Sequence, residues 1–144
     1  MIIKNKKAYF DYHVLDKIEA GIELFGHEVK ATRQGKVSLK GSYVTIREGE
    51  VFLVNCDIAP YQPRNTHKEY NQKRDRRLLL NKKEIEKLAI KTEERGVTLV
   101  PLSIYNKKGI IKLEIGVVKG KKKWDKRESI KRKDMERKMR EIKK

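Results

Sequence analysis

Val97-Thr-Leu-Val-Pro-Leu-Ser-Ile-Tyr-Asn-Lys-Lys-Gly-Ile-Ile-Lys-Leu-Glu-Ile-Gly-Val-Val118 carries the pattern that decides the fold. Two runs, Val97 to Tyr105 and Ile110 to Val118, flank Asn106-Lys107-Lys108-Gly109, a turn-rich connection across which they pair as a hairpin. In the second run Ile111, Leu113, Ile115 and Val117 recur at every other residue and share one side, while Lys112 and Glu114 take the other. A strand with one apolar and one polar face belongs to an antiparallel sheet that buries one side. A parallel strand, covered on both, reads as continuous apolar sequence.

Outward from this hairpin, Ser42 to Arg47 and Val51 to Val54 form a second one across Glu48-Gly49-Glu50. Ala8 to Val14 and Gly21 to Gly26 are further strand candidates, the first rich in aromatic and β-branched residues. A short helix is expected between Gly26 and Gly35, where Val29 and Thr32 share a face. A second follows Asn81, whose side chain and Glu84 fit a reciprocal cap, with Ile85, Leu88, Ala89 and Thr92 at helical spacing and Gly96 as a left-handed stop. About six short strands with two helices predict a mainly β fold, an OB-like closed antiparallel barrel over residues 1–119.

The composition points to a polyanionic partner. Among 144 residues, 37 Lys and Arg face 20 Asp and Glu, a formal charge of +17. Such a surplus attracts phosphate backbones, each neutralised phosphate releasing counterions, so RNA or DNA leads the candidates. The charge is concentrated at one end: Gly120 to Lys144 holds 13 basic and 5 acidic residues. There Glu128 with Arg132, Asp134 with Lys138, and Glu136 with Arg140 are acid-before-base pairs at i, i+4, each worth about 0.2–0.5 kcal/mol in a helix. They bias a helix without fixing one, so residues 120–144 are expected to be a basic tail, disordered or helical, that orders on a partner. A tail kept charged for solubility is the competing reading. An anionic membrane fits less well, because Trp124, Ile130, Met135, Met139 and Ile142 are irregularly spaced.

Apolar runs stop at about four residues, short of the roughly 20 a membrane-spanning helix needs. The stretch Met1 to Lys7 lacks the apolar core of a secretory signal, so the expected location is the cytoplasm. Lone Cys56 has no disulfide partner and reads as filler. His13, His27 and His67 stand too far apart for zinc spacing, so no metal and no cofactor are expected. There is no phosphate-cradling glycine loop, and Ser38, Ser42, Ser103 and Ser129 lack a visible His relay. An RNA-processing enzyme would need a divalent metal site that the sequence does not display.

Binding chemistry is better represented. Pro60 to Arg77 has two prolines and sets Tyr61, His67 and Tyr70 among 6 basic and 2 acidic residues. It reads as a long loop that offers π-faces to unstacked bases and guanidinium forks to phosphates, with Arg74, Arg76 and Arg77 densest. Tyr61 and Tyr70 could equally cover the barrel mouth. Glu28 stands out in so basic a chain: it either pairs with Lys30 or Arg33, or accepts hydrogen bonds from a base edge or ribose hydroxyl.

Asn5-Lys-Lys-Ala8, Glu19-Ala-Gly-Ile22, Gly26-His-Glu-Val-Lys30, Arg33-Gln-Gly-Lys36, Gly41-Ser-Tyr-Val44, Arg74-Asp-Arg-Arg-Leu-Leu-Leu-Asn81 and Gly120-Lys-Lys-Lys-Trp-Asp-Lys-Arg127 occur in this order. Jointly they resemble the SmpB family, the SsrA-binding proteins of bacteria, from about Asn5 through Arg127. The resemblance implies a non-enzymatic RNA-binding adapter that binds the elbow of the tRNA-like domain of tmRNA and accompanies it, as a monomer, to stalled ribosomes for trans-translation. It implies a tmRNA face of Asn5, Tyr12, Glu28, Lys30, Arg33, Gly35, Lys36, Arg74, Arg76, Arg77, Leu80 and Asn81, which favours RNA contact for Glu28. It also implies that the tail, through Lys121, Lys122, Lys123, Trp124, Asp125, Lys126, Arg127, Lys131 and Arg132, becomes helical in the empty mRNA channel beside the decoding region. The alternative is a general single-stranded nucleic-acid or RNA-binding OB-fold protein of low specificity. Two departures stand out: Asn71-Gln72 replaces a familiar Asp-Pro, and Trp124 replaces a familiar His, leaving stacking as the role that carries over.

Overall fold

The computed structural model describes residues 2–62 and 69–142. In chain order it contains β1 (Ile2–Lys4), α1 (Lys6–Asp11), β2 (Tyr12–Ile22), α2 (Gly26–Arg33), β3 (Val37–Ser38), β4 (Tyr43–Arg47), β5 (Glu50–Val54), β6 (Asp57–Ile58), β7 (Arg76–Leu79), α3 (Lys82–Thr92), β8 (Val97–Lys107), β9 (Ile110–Gly120) and α4 (Lys123–Ile142). Seven strands form one sheet in the order β1-β8-β4-β5-β7-β2-β9, and β9 returns to pair with β8. The hydrogen bonds therefore run in a ring of six strands, with β1 on its flank, and each registered ladder is antiparallel. This corrects the expected closed barrel: β4 and β8 meet at one registered pair, Val44 opposite Leu99, so the ring is not a regular barrel.

The deciding hairpin forms as its alternation requires. Ile111, Leu113, Ile115 and Val117 are buried, and Lys112 and Glu114 are half-exposed. The connection is tighter than expected, because Lys107 already pairs with Ile110 and only Lys108 and Gly109 turn, both at positive φ (51° and 79°). Glu48 and Gly49 do the same between β4 and β5, at 48° and 77°. Two central residues with positive φ match the turn to the right-handed twist of the strands. Gly116 is needed for packing: a Cβ there would lie 2.7 Å from the Leu102 side chain.

Two expectations change at the N-terminal end. Ala8 to Val14 is not one strand, because α1 runs to Asp11. Asn5 starts this helix, its Oδ1 accepting from the Ala8 N–H at 3.2 Å, and Ala8 is buried with Val100, Leu102 and Val118. Capping and tertiary burial thus override the β preference of Tyr9 and Phe10. The expected strand from Gly21 contributes only its first two residues, as the end of β2.

The caps predicted at α3 are present. Glu84 N–H donates to Asn81 Oδ1 at 2.9 Å, and Asn81 N–H donates to Glu84 Oε1 at 3.0 Å. Leu88 is buried and Ile85 packs on the main core. Gly96 (φ +83°) lies beyond an extra turn after Thr92 and does not cap it directly. The tail, expected to order only on a partner, is helical as α4. Among the described residues no helix is long and apolar enough to cross a membrane.

Candidate nucleic-acid interface

Glu28, in the first turn of α2, is the centre of a buried polar cluster. One carboxylate oxygen accepts from the Phe25 N–H at 2.8 Å, satisfying a donor that a helix N-terminus leaves open. Arg76 donates to the other through Nε at 2.8 Å and Nη2 at 2.6 Å. Arg74 donates to both oxygens, through Nη2 and, at 3.2 Å, through Nε. The Tyr70 hydroxyl lies 3.0 Å from the carboxylate and 2.9 Å from the Ile58 carbonyl. Arg76 continues outward, donating to the carbonyls of Cys56 at 2.6 Å and Gln72 at 2.9 Å.

Both Glu28 and Arg76 are 0% exposed. Burial pushes the Glu28 carboxyl up, but the hydrogen bonds from Arg74, the Phe25 N–H and Arg76 outweigh it and hold the group below the ordinary carboxylate range. Burial, with the adjacent Glu28 charge, pushes the Tyr70 phenol up to about 12, so it stays a neutral donor. Burial likewise raises the Cys56 thiol to about 12, which makes it inert filler. One carboxylate against two guanidinium groups leaves a net positive cluster. Arg74 forms its outer edge, with its guanidinium carbon 4.1 Å from the centre of the Phe25 ring.

The cluster corrects the ion-pair partners expected for Glu28. Its partners are not Lys30 and Arg33, because residues two and five apart do not face each other on a helix. Both Glu28 and Arg76 are wholly buried among protein partners, where they tie α2 to the segment that carries Arg74. Asn5 is also buried, its Nδ2 donating to the Pro101 carbonyl at 2.8 Å. It pins the start of α1 to β8.

Exposed groups surround the cluster. Lys30, Arg33, Gly35 and Lys36 lie at the surface of α2 and its C-terminal turn. Arg33 donates to the Gly109 carbonyl at 2.9 Å, bracing the β8–β9 turn. Lys36 donates to the Tyr61 carbonyl at 3.2 Å, and Lys30 lies 5.6 Å from the centre of the Tyr61 ring. Arg77 is exposed and lies 3.6 Å from Glu50. Leu80 packs against the core and Asn81 is engaged as a cap. Tyr12 shares a separate groove with Asn5, Lys7, Asp11 and Tyr43. Of the loop aromatics, Tyr70 is drawn into the Glu28 cluster, and His67 lies outside the described residues.

The tail begins on the ring of strands and leaves it. Lys121 N–H donates to the Asp11 carbonyl at 2.8 Å, and Asp125 accepts from the Lys122 N–H at 3.1 Å. Asp125 also lies 3.2 Å from His13 Nε2, and Lys126 lies 3.2 Å from Asp11. Burial raises the Asp125 carboxyl, but His13 and the Lys122 N–H overcome this and hold it below its usual range. Trp124 is 58% exposed, and Arg127, Lys131 and Arg132 are exposed along the helix. Lys121 is half-buried, its Nζ donating to Ser129 at 2.9 Å.

Sequence reasoning missed Phe25, 54% exposed beneath Arg74, because it read as the end of a strand. A large aromatic immediately before a glycine-led helix was the available signal. Asp11, at the end of α1, and His13, in β2, were missed because their partners Lys126 and Asp125 lie far along the chain on α4. Among the described residues no group of His, Cys, Asp and Glu is arranged to hold a metal ion.

Comparison with known proteins identifies the family. The SmpB protein family matches residues 2–144. The SsrA-binding protein of Chlorobaculum tepidum is 51% identical over 99% of this chain and 90% of its own length. That of Thermosipho africanus is 50% identical over 98% of this chain and 95% of its own. A chain from the solved structure "tmRNA-SmpB: a journey to the center of the bacterial ribosome" superposes with a TM-score of 0.71 at 40% identity, covering 90% of this chain and 94% of that one. With the ring of strands, the cationic face and the basic helix all in place, the chain belongs to the SmpB family of SsrA-binding proteins.

Proposed function

We propose that this chain is a non-enzymatic adapter that grips the elbow of the tRNA-like domain of tmRNA and carries it to ribosomes stalled in the cytoplasm. The barrel, residues 1–119, is an irregular OB-type scaffold, and residues 120–144 form the tail that settles in a vacant messenger channel. The observation that carries this reading is the buried Glu28 cluster. It locks α2 to the Arg74–Asn81 segment, so that Lys30, Arg33 and Lys36 and the outward edges of Arg74 and Arg77 are held in fixed relation. Rigid cations at fixed spacing select a folded RNA shape, whereas flexible ones bind any polyanion. Glu28, Arg76 and Asn5 position this face, and Lys30, Arg33, Gly35, Lys36, Arg74, Arg77 and Asn81 offer contacts on it. Leu80 supports the segment from the core side, and Tyr12 faces the neighbouring groove.

Along the tail, alternating cations meet ribosomal RNA phosphates, and Trp124 stacks on a base. A basic helix of this kind competes with messenger RNA for one groove and so occupies it only when the message has ended. Binding to tmRNA elbow RNA and to an unrelated structured RNA, measured across salt at matched concentrations, tests the reading. Tighter elbow binding at every salt concentration is expected. Equal affinities with equal salt slopes would leave a general RNA-binding barrel instead.

A further inference from the structure

We propose that Asp11, His13, Asp125 and Lys126 form a joint that sets the direction in which α4 leaves the barrel, and that Asp125 and Lys126 act as positioning residues before they act as ribosome contacts. Two contacts cross the junction with opposite polarity. On one, the acid belongs to the barrel and the base to the helix: Asp11 with Lys126 at 3.2 Å. On the other the order reverses: His13 of β2 with Asp125 of α4 at 3.2 Å. A crossed arrangement of this kind resists rotation about the helix axis, because turning α4 parts both contacts and can bring the Asp125 carboxylate toward that of Asp11.

The junction holds more than these pairs. The Asp11 carbonyl accepts from the Lys121 N–H at 2.8 Å, so the chain is fixed one residue after β9 ends. Lys126 also lies 5.9 Å from the centre of the Phe10 ring. The Asp125 side chain is 13% exposed, against 51% for His13, so the acid sits inside the joint and not on its surface. Farther along, Met135 and Met139 are 65% and 59% exposed, and the helix projects away from the barrel. The joint thus aims a rod. A tail that must enter a narrow channel while the barrel holds RNA gains from a fixed exit angle, because fewer orientations have to be excluded on docking. The orientation claim stands on the geometry; its bearing on ribosome rescue rests on the function proposed above.

Charge exchange tests it. Nitroxide labels placed through Lys83→Cys on α3 and Met139→Cys on α4 report the distance distribution between barrel and helix in the full chain, while buried Cys56 stays unlabelled. The parent is expected to give a narrow distribution, Asp11→Lys and Lys126→Asp each a broad one, and the doubly exchanged chain a narrow one again. Unchanged distributions in the single variants, or a double variant as broad as either, would overturn the joint. In a rescue assay the single variants are expected to lose activity at unchanged affinity for elbow RNA, and the double variant to regain it. Were Lys126 needed instead as a phosphate contact, the double variant would stay as inactive as Lys126→Asp, and the positioning role would fall.

Discussion

Replacing Glu28 by Gln separates a residue that touches RNA from one that builds the surface RNA touches. The substitution keeps size and one acceptor oxygen but removes the charge that faces Arg76. That guanidinium is 0% exposed and cannot turn to water, whereas the Arg74 side chain, 24% exposed, can. Removing one partner of a buried pair costs about 3–5 kcal/mol, and the retained amide oxygen puts this case near 3. Against a typical total of about 5–15 kcal/mol, the loss is large. At roughly 3 °C per kcal/mol for a chain of this length, the melting temperature should fall by about 8–10 °C. Circular dichroism melts give that number, and elbow RNA titrations well below the transition give the effect on binding. A melting temperature within a degree or two of the parent, with affinity sharply reduced, would refute the reasoning and put Glu28 at the RNA surface.

The same residue has a pH signature. Its folded pKa lies below the unfolded value of about 4.3, so its contribution is full above that value and is lost as pH falls through the folded pKa. In the Glu28→Gln variant this part of the acid transition should be missing, so the stability gap from the parent should narrow below about pH 4.

Asn81→Ala removes the α3 cap and should cost about 1 kcal/mol. Asn81→Asp preserves the cap, so any loss of elbow affinity in a fully stable Asp variant isolates an RNA contact, and unchanged affinity assigns Asn81 to the helix alone. Lys30→Ala and Lys36→Ala should each reduce the slope of log affinity against log salt by about 0.7–0.9 for every phosphate no longer neutralised; parallel salt plots would remove them from the face. Truncation after Gly120 should leave elbow affinity nearly intact and stop rescue of stalled ribosomes, while a large affinity loss would assign the tail to the RNA face.

Much of this architecture is legible in local sequence, because its causes are local. The alternation from Ile110 to Val118 reports one buried face, Asn81 with Glu84 writes a reciprocal cap, and Gly35 (φ +77°) closes α2 where a left-handed residue is needed. The i, i+4 pairs after Gly120 signalled the helix, but not that Asp11 and His13 would hold its first turn. The rest depends on distance along the chain. Ala8 becomes helical because it packs beneath Val100, Leu102 and Val118, about which its neighbours carry no information. The sequence around Glu28 offers only the cations beside it, yet its partners lie 46 and 48 positions away, brought in by the pairing of β7 with β5 and β2. The family resemblance names residues of a face without showing that Glu28, Arg76 and Asn5 are buried while Lys30, Arg33 and Lys36 lie at the surface.

The proposed division, a face on the strand ring that binds RNA and a helix that stays free for a second groove, is tested most directly by lysine footprinting. The chain would be modified with an amine reagent alone and in complex with elbow RNA, and each site read by mass spectrometry. RNA is expected to shield Lys30 and Lys36 while Lys131 and Lys138 on α4 react as before. Shielding of the α4 lysines with α2 still reactive would contradict it.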